Sequence, residues 1–352
     1  MARHGGAVGV DIGSAAIKIV ELAGDGSGGN GNGGAARVAA SIPTPEGAIE
    51  EGRITNVPAV GRALRELVQG AGIRTRRAVA AVNGQVALMR EVRMPQLPAE
   101  EMRQAARFEV ERYLPYPIAE VTFDTVVVGE QADGGATKTD VLVVAARTDV
   151  LKQHAGALQA AGLEPAVLEV EPLAVVRAVA SRAAADQVTA CIHLGSSVTM
   201  ILVAEGEVPR VIRTVAFGTT QLLEAAASRV GADGETADGL RARIAAGGTG
   251  DGVPGLREAL DDSLAPLVTE IRRSLEYYGG RYRAAAPARI VVTGGGAGLP
   301  GVTTSLTSAL DVQVELGDPF ADLGGLPQGA ASQSAPAYAV AAGLARRGVV
   351  ES

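Results

Sequence analysis

Short apolar runs that end in a polar residue and a glycine recur along this chain. The first run covers residues 8–12 and contains Asp11 near its end, Gly13 follows, and a second run begins almost at once over residues 16–22. A strand, a glycine turn and another strand in immediate succession predict a β-hairpin with a polar tip.

The same pattern returns in the second half of the chain. Residues 190–194 lead through Gly195 and two serines into an apolar run over residues 198–203. A third apolar run, residues 290–293, precedes three successive glycines at 294–296. Two similar hairpins and a late glycine turn are the arrangement expected of a nucleotide site between two lobes of an α/β protein.

The tip of the first hairpin has the chemistry of a phosphate site. Gly13 allows close approach of the backbone to an anion, Ser14 adds a hydroxyl donor, and Lys18 adds a positive charge. Asp11 can hold the water ligands of a Mg²⁺ ion. Two alternatives stay open at this point: Asp11 can be a simple turn residue, and Lys18 a solvated strand lysine.

Between the hairpins, the pattern predicts further strands and helices. Residues 86–162 read as strand, helix, strand, strand and helix, which indicates a subdomain inserted into the first half. Its first helix stops at a turn rich in proline, residues 113–117. In the second half, a single long helix is predicted over residues 256–278.

Composition limits the classes of function. The 352 residues are 47% hydrophobic, which is enough for packed cores, and the net charge is −7. An acidic chain without tryptophan is a poor candidate for binding nucleic acid. One cysteine, Cys191, cannot form a disulfide or a cysteine cluster, and no apolar run has membrane-spanning length. We therefore expect a cytoplasmic protein with no direct membrane insertion.

Several motifs resemble those of one family. The hairpins and the glycine turn resemble the actin-like ATPase superfamily. Residues 109–117, 163–174 and 270–278, with the Leu-Pro-Gly at 299–301, are similar to the PilM family of type IV pilus assembly proteins. The resemblance implies a two-lobed actin-like fold, which is a duplicated RNase H-like α/β fold, with the inserted subdomain of the FtsA and PilM type.

The resemblance also implies which segments form each lobe. The expected segments are 1–85, first-lobe core with the first hairpin; 86–162, inserted subdomain; 163–186, return to the first lobe; 187–217, second-lobe core with the second hairpin; 218–285, second-lobe helical subdomain; 286–330, second-lobe core with the glycine turn; and 331–352, C-terminal helix of the first lobe.

By position, the resemblance implies a site for ATP or ADP with Mg²⁺. The residues concerned are Asp11, Gly13, Ser14 and Lys18 in the first phosphate loop, Gly195, Ser196, Ser197 and Thr199 in the second, Gly294, Gly295 and Gly296 in the adenosine turn, Asp238 at the ribose and Arg241 at the base. Glu171, which precedes a proline, matches a glutamate that positions the attacking water in several relatives. Its alternative is an ordinary cap or turn residue.

One position departs from the superfamily pattern. The second phosphate loop normally opens with an acid that helps to hold Mg²⁺, and His193 stands there. A neutral imidazole is a poor partner for this hard cation, which prefers oxygen ligands. We therefore expect at most a slow ATPase.

The function implied by the resemblance is that of an assembly scaffold at the inner face of the cytoplasmic membrane. It would bind the N-terminal tail of a PilN-like membrane protein, connect it to the pilus motor ATPases, and could form homo-oligomers. We expect the tail to lie in a groove between the insert and the first lobe, near Val86, Leu88 and Met89. Alternatively, these three residues only pack the core of the insert.

Two other functions within the superfamily stay open. An FtsA-like division protein would carry a C-terminal amphipathic helix, and the glycine-interrupted residues 344–352 fit that poorly. A small-molecule kinase would need a catalytic acid in a substrate pocket.

Overall fold

The structure is a computed structural model. It describes residues 6–23, 34–133, 136–180, 187–232, 239–240, 255–283, 286–287, 289–327 and 332–350. Among these residues, no helix has both the length and the apolar character needed to cross a membrane.

The first half of the chain forms ten strands and four helices in the described residues. In chain order they are β1 (Val8–Ile12), β2 (Ala16–Leu22), β3 (Ala36–Pro43), β4 (Ile49–Glu50), β5 (Arg53–Ile54), α1 (Val57–Gly70), β6 (Arg77–Val82), β7 (Ala87–Pro95), α2 (Ala99–Glu111), β8 (Val121–Asp133), β9 (Ala136–Arg147), α3 (Thr148–Ala160), β10 (Glu164–Val170) and α4 (Glu171–Ala180).

The second half continues with five strands and five helices within the described ranges. They are β11 (Val188–Leu194), β12 (Thr199–Glu205), β13 (Val208–Val215), α5 (Thr219–Arg229), α6 (Leu256–Ser263), α7 (Ala265–Tyr282), β14 (Arg289–Thr293), α8 (Val302–Leu310), β15 (Val314–Leu316) and α9 (Ala339–Val350). Short 3₁₀ segments precede α8 and α9.

The two halves contain the same five-stranded sheet. Its order is β3-β2-β1-β6-β10 in the first lobe and β13-β12-β11-β14-β15 in the second. In the first lobe, β3, β2 and β1 are antiparallel neighbours, whereas β6 and β10 run parallel to β1. In the second lobe, β13, β12 and β11 are likewise antiparallel, and β14 and β15 run parallel to β11. The predicted duplication is therefore confirmed at the level of strand order and direction.

Both faces of the first-lobe sheet are covered, which explains why all of β1 is buried. Val8, Val10 and Ile12 pack with Leu64 of α1 on one face. The other face receives α9, whose close approach requires Gly9: a Cβ there would overlap the carbonyl oxygen of Ala341. Helix α9 therefore completes the lobe to which β1 belongs.

The insert is a three-stranded antiparallel sheet, β7-β9-β8, covered by α2. Met94, Met102, Val110 and Val143 form its core. The predicted boundary at residue 162 places helix α3 in the insert. In the structure, however, Ala157 and Leu158 of α3 pack in the first-lobe core. The packing thus ends the insert at β9, because the apolar face of α3 turns toward α1.

The long helix predicted over 256–278 is divided. Helix α6 ends at Ser263, α7 begins at Ala265, and Leu264 separates them. The cause is Pro266 in the first turn of α7, which has no N–H to donate to the carbonyl one turn earlier.

Candidate functional site

The two hairpins meet at a cleft between the lobes. The cleft has a volume of about 310 Å³. The hydroxyls of Ser14 and Ser197, one from each hairpin loop, lie 2.7 Å apart. Among the residues that line it are Asp11, Gly13, Ser14, Lys18, Asn83, Glu171, His193, Gly195, Ser196, Ser197 and Gly295. The fold thus brings residues from both halves of the sequence to one place.

The first hairpin places a carboxylate beside an ammonium group. Asp11 and Lys18 are cross-strand partners, and Lys18 Nζ donates to Asp11 Oδ2 at 2.9 Å. Asp11 is 5% exposed. At Gly13, a Cβ would lie 3.0 Å from the carbonyl oxygen of Ala16 and 3.6 Å from Lys18 Nζ. Glycine therefore relieves crowding within the hairpin turn and leaves the space beside the ion pair free of a side chain.

The second hairpin is fixed by the start of α5. The amide of Gly195 donates to the carbonyl of Val198 at 2.9 Å, which closes the hairpin turn. The amides of Thr219 and Thr220 donate to the carbonyls of Gly195 and Ser196 at 2.9 and 3.0 Å. These amides hold the loop and are not free to bind a ligand, so the contribution of α5 to binding an anion here is the positive partial charge of its N-terminus.

Some predicted site residues have other roles in the structure. Thr199 is fully buried and its hydroxyl donates to the carbonyl of Phe217 at 2.6 Å, so it orients the strand beside the cleft. Of the three glycines, Gly295 lines the cleft. A Cβ at Gly294 or Gly296 would overlap atoms of Leu194. These two glycines allow close packing of protein against protein.

Two predicted nucleotide contacts cannot be placed. Asp238 and Arg241 lie outside the described residues.

Glu171 lies at the start of α4, within the cleft. It is 7% exposed, and Asn83 Nδ2 donates to its Oε2 at 3.2 Å. Burial, and then the charge of Asp11, raise the pKa of Glu171 to about 8, while Lys18 and the hydrogen bond from Asn83 oppose the rise. In the absence of a ligand, the glutamate is therefore largely protonated at neutral pH.

His193 occupies the position in the second hairpin that Asp11 occupies in the first. Its Nδ1 lies 3.0 Å from the hydroxyl of Thr293 on the neighbouring strand β14. Burial lowers the pKa of His193 to about 4, against the raising effect of Asp11 and with a smaller lowering effect of Lys18. The imidazole is therefore neutral at physiological pH and contributes no charge to the cleft.

Asn83 and Thr293 were not predicted as site residues. Asn83 follows β6, which runs parallel to the hairpin strand β1. Thr293 ends β14, which runs parallel to the hairpin strand β11. Because carboxyl ends of parallel strands meet at one edge of a sheet, polar residues there are candidates for a site. That signal is present in the sequence.

The three residues predicted to line a partner groove fall on two faces of the insert. Leu88 packs in the core of the insert beneath α2. Val86 and Met89 pack with Val82 and Val150, where the insert meets the first lobe. Leu88 therefore does not face the first lobe, whereas Val86 and Met89 do.

A protein-family model for the type IV pilus assembly protein PilM matches residues 9–349 of this chain. Among solved structures, a PilM-PilN type IV pilus biogenesis complex is similar to it with 30% sequence identity and a TM-score of 0.82, covering 97% of this chain and 98% of that one.

More distant structures share the fold. The ethanolamine utilization protein EutJ from Carboxydothermus hydrogenoformans is 15% identical, with a TM-score of 0.56 over 96% of this chain and 88% of that one. MreB 5 of Spiroplasma citri bound to AMPPNP is 10% identical, with a TM-score of 0.51 over 96% and 94% of the two chains. The expected actin-like fold is therefore confirmed, and the chain belongs to the PilM family of type IV pilus assembly proteins.

Proposed function

We propose that the cleft binds ATP or ADP and that nucleotide sets the arrangement of a scaffold for pilus assembly. The observation that carries this proposal is the meeting of two glycine hairpins from duplicated lobes, with Lys18 on one side and the N-terminus of α5 on the other. Both features favour the phosphate groups of a nucleotide.

The side chains of the cleft also fit a magnesium ion held mainly by the nucleotide. No group of three His, Cys, Asp or Glu side chains in the described part of the chain could hold a metal. Asp11 alone would act through water molecules, which is a common arrangement for Mg²⁺. When bound, the ion supplies neutralisation of phosphate charge.

Replacing Lys18 by alanine should weaken nucleotide binding by roughly tenfold or more, the value expected when a charge-assisted hydrogen bond is lost. The change also leaves Asp11 without its partner at 2.9 Å, which adds repulsion toward phosphate. Calorimetry with ADP and with ATP measures the effect. The matched control is Lys152→Ala, because Lys152 is an exposed lysine of α3. Equal affinity of both variants would contradict the proposed phosphate site.

Hydrolysis should be slow, because a neutral imidazole stands where a second acid would help to position the ion. The variant His193→Asp restores that acid and should raise the single-turnover rate in the presence of Mg²⁺. His193→Asn is the control, since it changes size and hydrogen bonding without adding charge. Brisk turnover by the unaltered protein would show that the acid is not required.

The proposed partner is the N-terminal tail of a PilN-like membrane protein. The support is membership of the PilM family together with the 30% identical protein solved in a PilM-PilN complex. Through this tail the scaffold would be recruited from the cytoplasm to the inner face of the membrane and linked to the motor ATPases. An extended tail can bind through strand-edge hydrogen bonds and pockets for alternate side chains.

Removing the insert should abolish binding of a synthetic PilN-like tail without abolishing nucleotide binding. The ends of the insert lie side by side, because Ala87 pairs with Ala146 across β7 and β9. A short glycine-serine linker can therefore replace residues 87–146. Calorimetry with the peptide and with ADP tests both halves of the expectation. Full peptide affinity in a variant that still binds ADP would place the partner site elsewhere.

A further inference from the structure

The insert belongs to the first lobe by chain connection and by packing. Strand β6 leads into β7, and β9 leads directly into α3. Met89 and Val144, on the face of the insert sheet opposite α2, pack with Val150 of the first lobe. Any movement of the first lobe therefore carries this end of the insert with it.

The same insert also holds the second lobe. Glu91, on β7, accepts hydrogen bonds from Arg281 Nη2 at 2.8 Å and from the Tyr282 hydroxyl at 2.7 Å, one on each carboxylate oxygen. Both donors stand at the end of α7. The Glu91 side chain is 15% exposed, so water screens this contact only in part.

A second contact joins the same two bodies. Arg210 of β13 donates through Nη1 to the carbonyl of Val128 on β8, at 2.9 Å. Through Nε it donates to Glu205 at 2.8 Å, and the Tyr278 hydroxyl donates to the other oxygen of Glu205 at 2.9 Å. Glu91 therefore binds a part of the second lobe in which β12, β13 and α7 are joined by side-chain hydrogen bonds.

The two hairpin loops touch across the nucleotide cleft in this arrangement. The hydroxyls of Ser14 and Ser197 are in hydrogen-bond contact across it. Phosphate groups that lie between the two loops must separate these hydroxyls, and a separation of the lobes changes the distance between Glu91 and α7. The two events involve the same pair of bodies.

We propose that Glu91, with Arg281 and Tyr282, is a latch between the insert and the second lobe that couples the cleft to the position of the insert. The coupling to nucleotide rests on the proposed function; the latch itself does not. The latched state is the one in which the two hairpin loops touch, so releasing the latch favours the state that admits phosphate between them. Opening also widens a cavity of about 540 Å³ between the insert and the second lobe, lined by Arg90, Leu142, Arg213 and Tyr277 among others.

The latch is tested first without nucleotide. Cysteines introduced at the exposed positions Gln104 of α2 and Glu258 of α6 carry spin labels, and the native Cys191 is buried. We expect Glu91→Gln to broaden the distance distribution between the labels and Tyr282→Phe to do so less. Glu276→Gln, at an exposed glutamate of α7, should leave it unchanged. An unchanged distribution in both latch variants would overturn the latch.

The coupling is tested by calorimetry with ADP and ATP on the same variants. Glu91→Gln should tighten nucleotide binding by about fivefold, the lower range of typical coupling between sites. A changed distance distribution with unchanged nucleotide affinity would overturn the coupling. If the unaltered protein binds no nucleotide while the distances still respond to Glu91→Gln, the proposed function fails and the latch stands.

Discussion

Replacement of Gly9 by valine should lower the free energy of unfolding by about 3 kcal/mol or more, at the upper end for overpacked cores. A Cβ at this position would overlap the carbonyl oxygen of Ala341 and lie 2.5 Å from the amide nitrogen of Ala345. These are backbone atoms of α9, so no side chain can rotate away. Because β1 also carries Asp11, nucleotide affinity should fall as well.

Urea unfolding measures this change. The control is Gly280→Ala, since a Cβ at that position of α7 would meet no heavy atom within 4 Å. Alanine is the better helix former, so the control should gain up to about 1 kcal/mol. Equal stability of Gly9→Val and the unaltered protein would mean that α9 does not seat on β1.

Replacement of Glu171 by glutamine should remove most of the loss of stability between pH 6.5 and pH 9. The pKa of Glu171 is raised to about 8 in the folded protein, from an ordinary value of 4.5. The unfolded chain therefore releases this proton at a lower pH than the folded one, and stability falls as pH rises from 4.5 to 8. At roughly 1.4 kcal/mol for each pKa unit, the full effect across this range is on the order of 5 kcal/mol, of which about 2 kcal/mol falls between pH 6.5 and pH 9.

The measurement is denaturant unfolding at pH 6.5 and pH 9, with Glu164→Gln as the control because Glu164 is an exposed residue of β10. His193 acts in a separate window. Its pKa is lowered to about 4, so its contribution is lost as pH falls from 6.5 toward 4. Parallel pH profiles for Glu171→Gln and the unaltered protein would contradict the raised pKa of Glu171.

Local patterns predicted the hairpins and the duplicated lobes well, because strand, turn and strand are contiguous in each case. The end of the insert was harder to predict. The apolar stripe of α3 shows that the helix packs, but not that it packs on α1. The division before α7 was predictable from Pro266 alone, since proline removes a helical hydrogen bond.

Other features of the site depend on distant residues. A glycine that lines a ligand cleft and a glycine that allows close packing of protein atoms look the same in the sequence. The sequence therefore could not show that Gly295 lines the cleft whereas Gly294 and Gly296 pack against Leu194. Similarly, nothing local to Glu91 identifies Arg281 and Tyr282 as its partners, because the contact is made only when the insert and the second lobe are folded.

The position of α9 has a consequence for synthesis of the protein. Strand β1 is made before the second lobe, yet the helix that covers one of its faces is made only after that lobe. Such long-range contacts form slowly, and an unpaired apolar surface invites aggregation in the meantime. The elements of the second lobe are contiguous in the chain, whereas the first lobe keeps an exposed apolar face until α9 has been made and is therefore the part that most needs a chaperone.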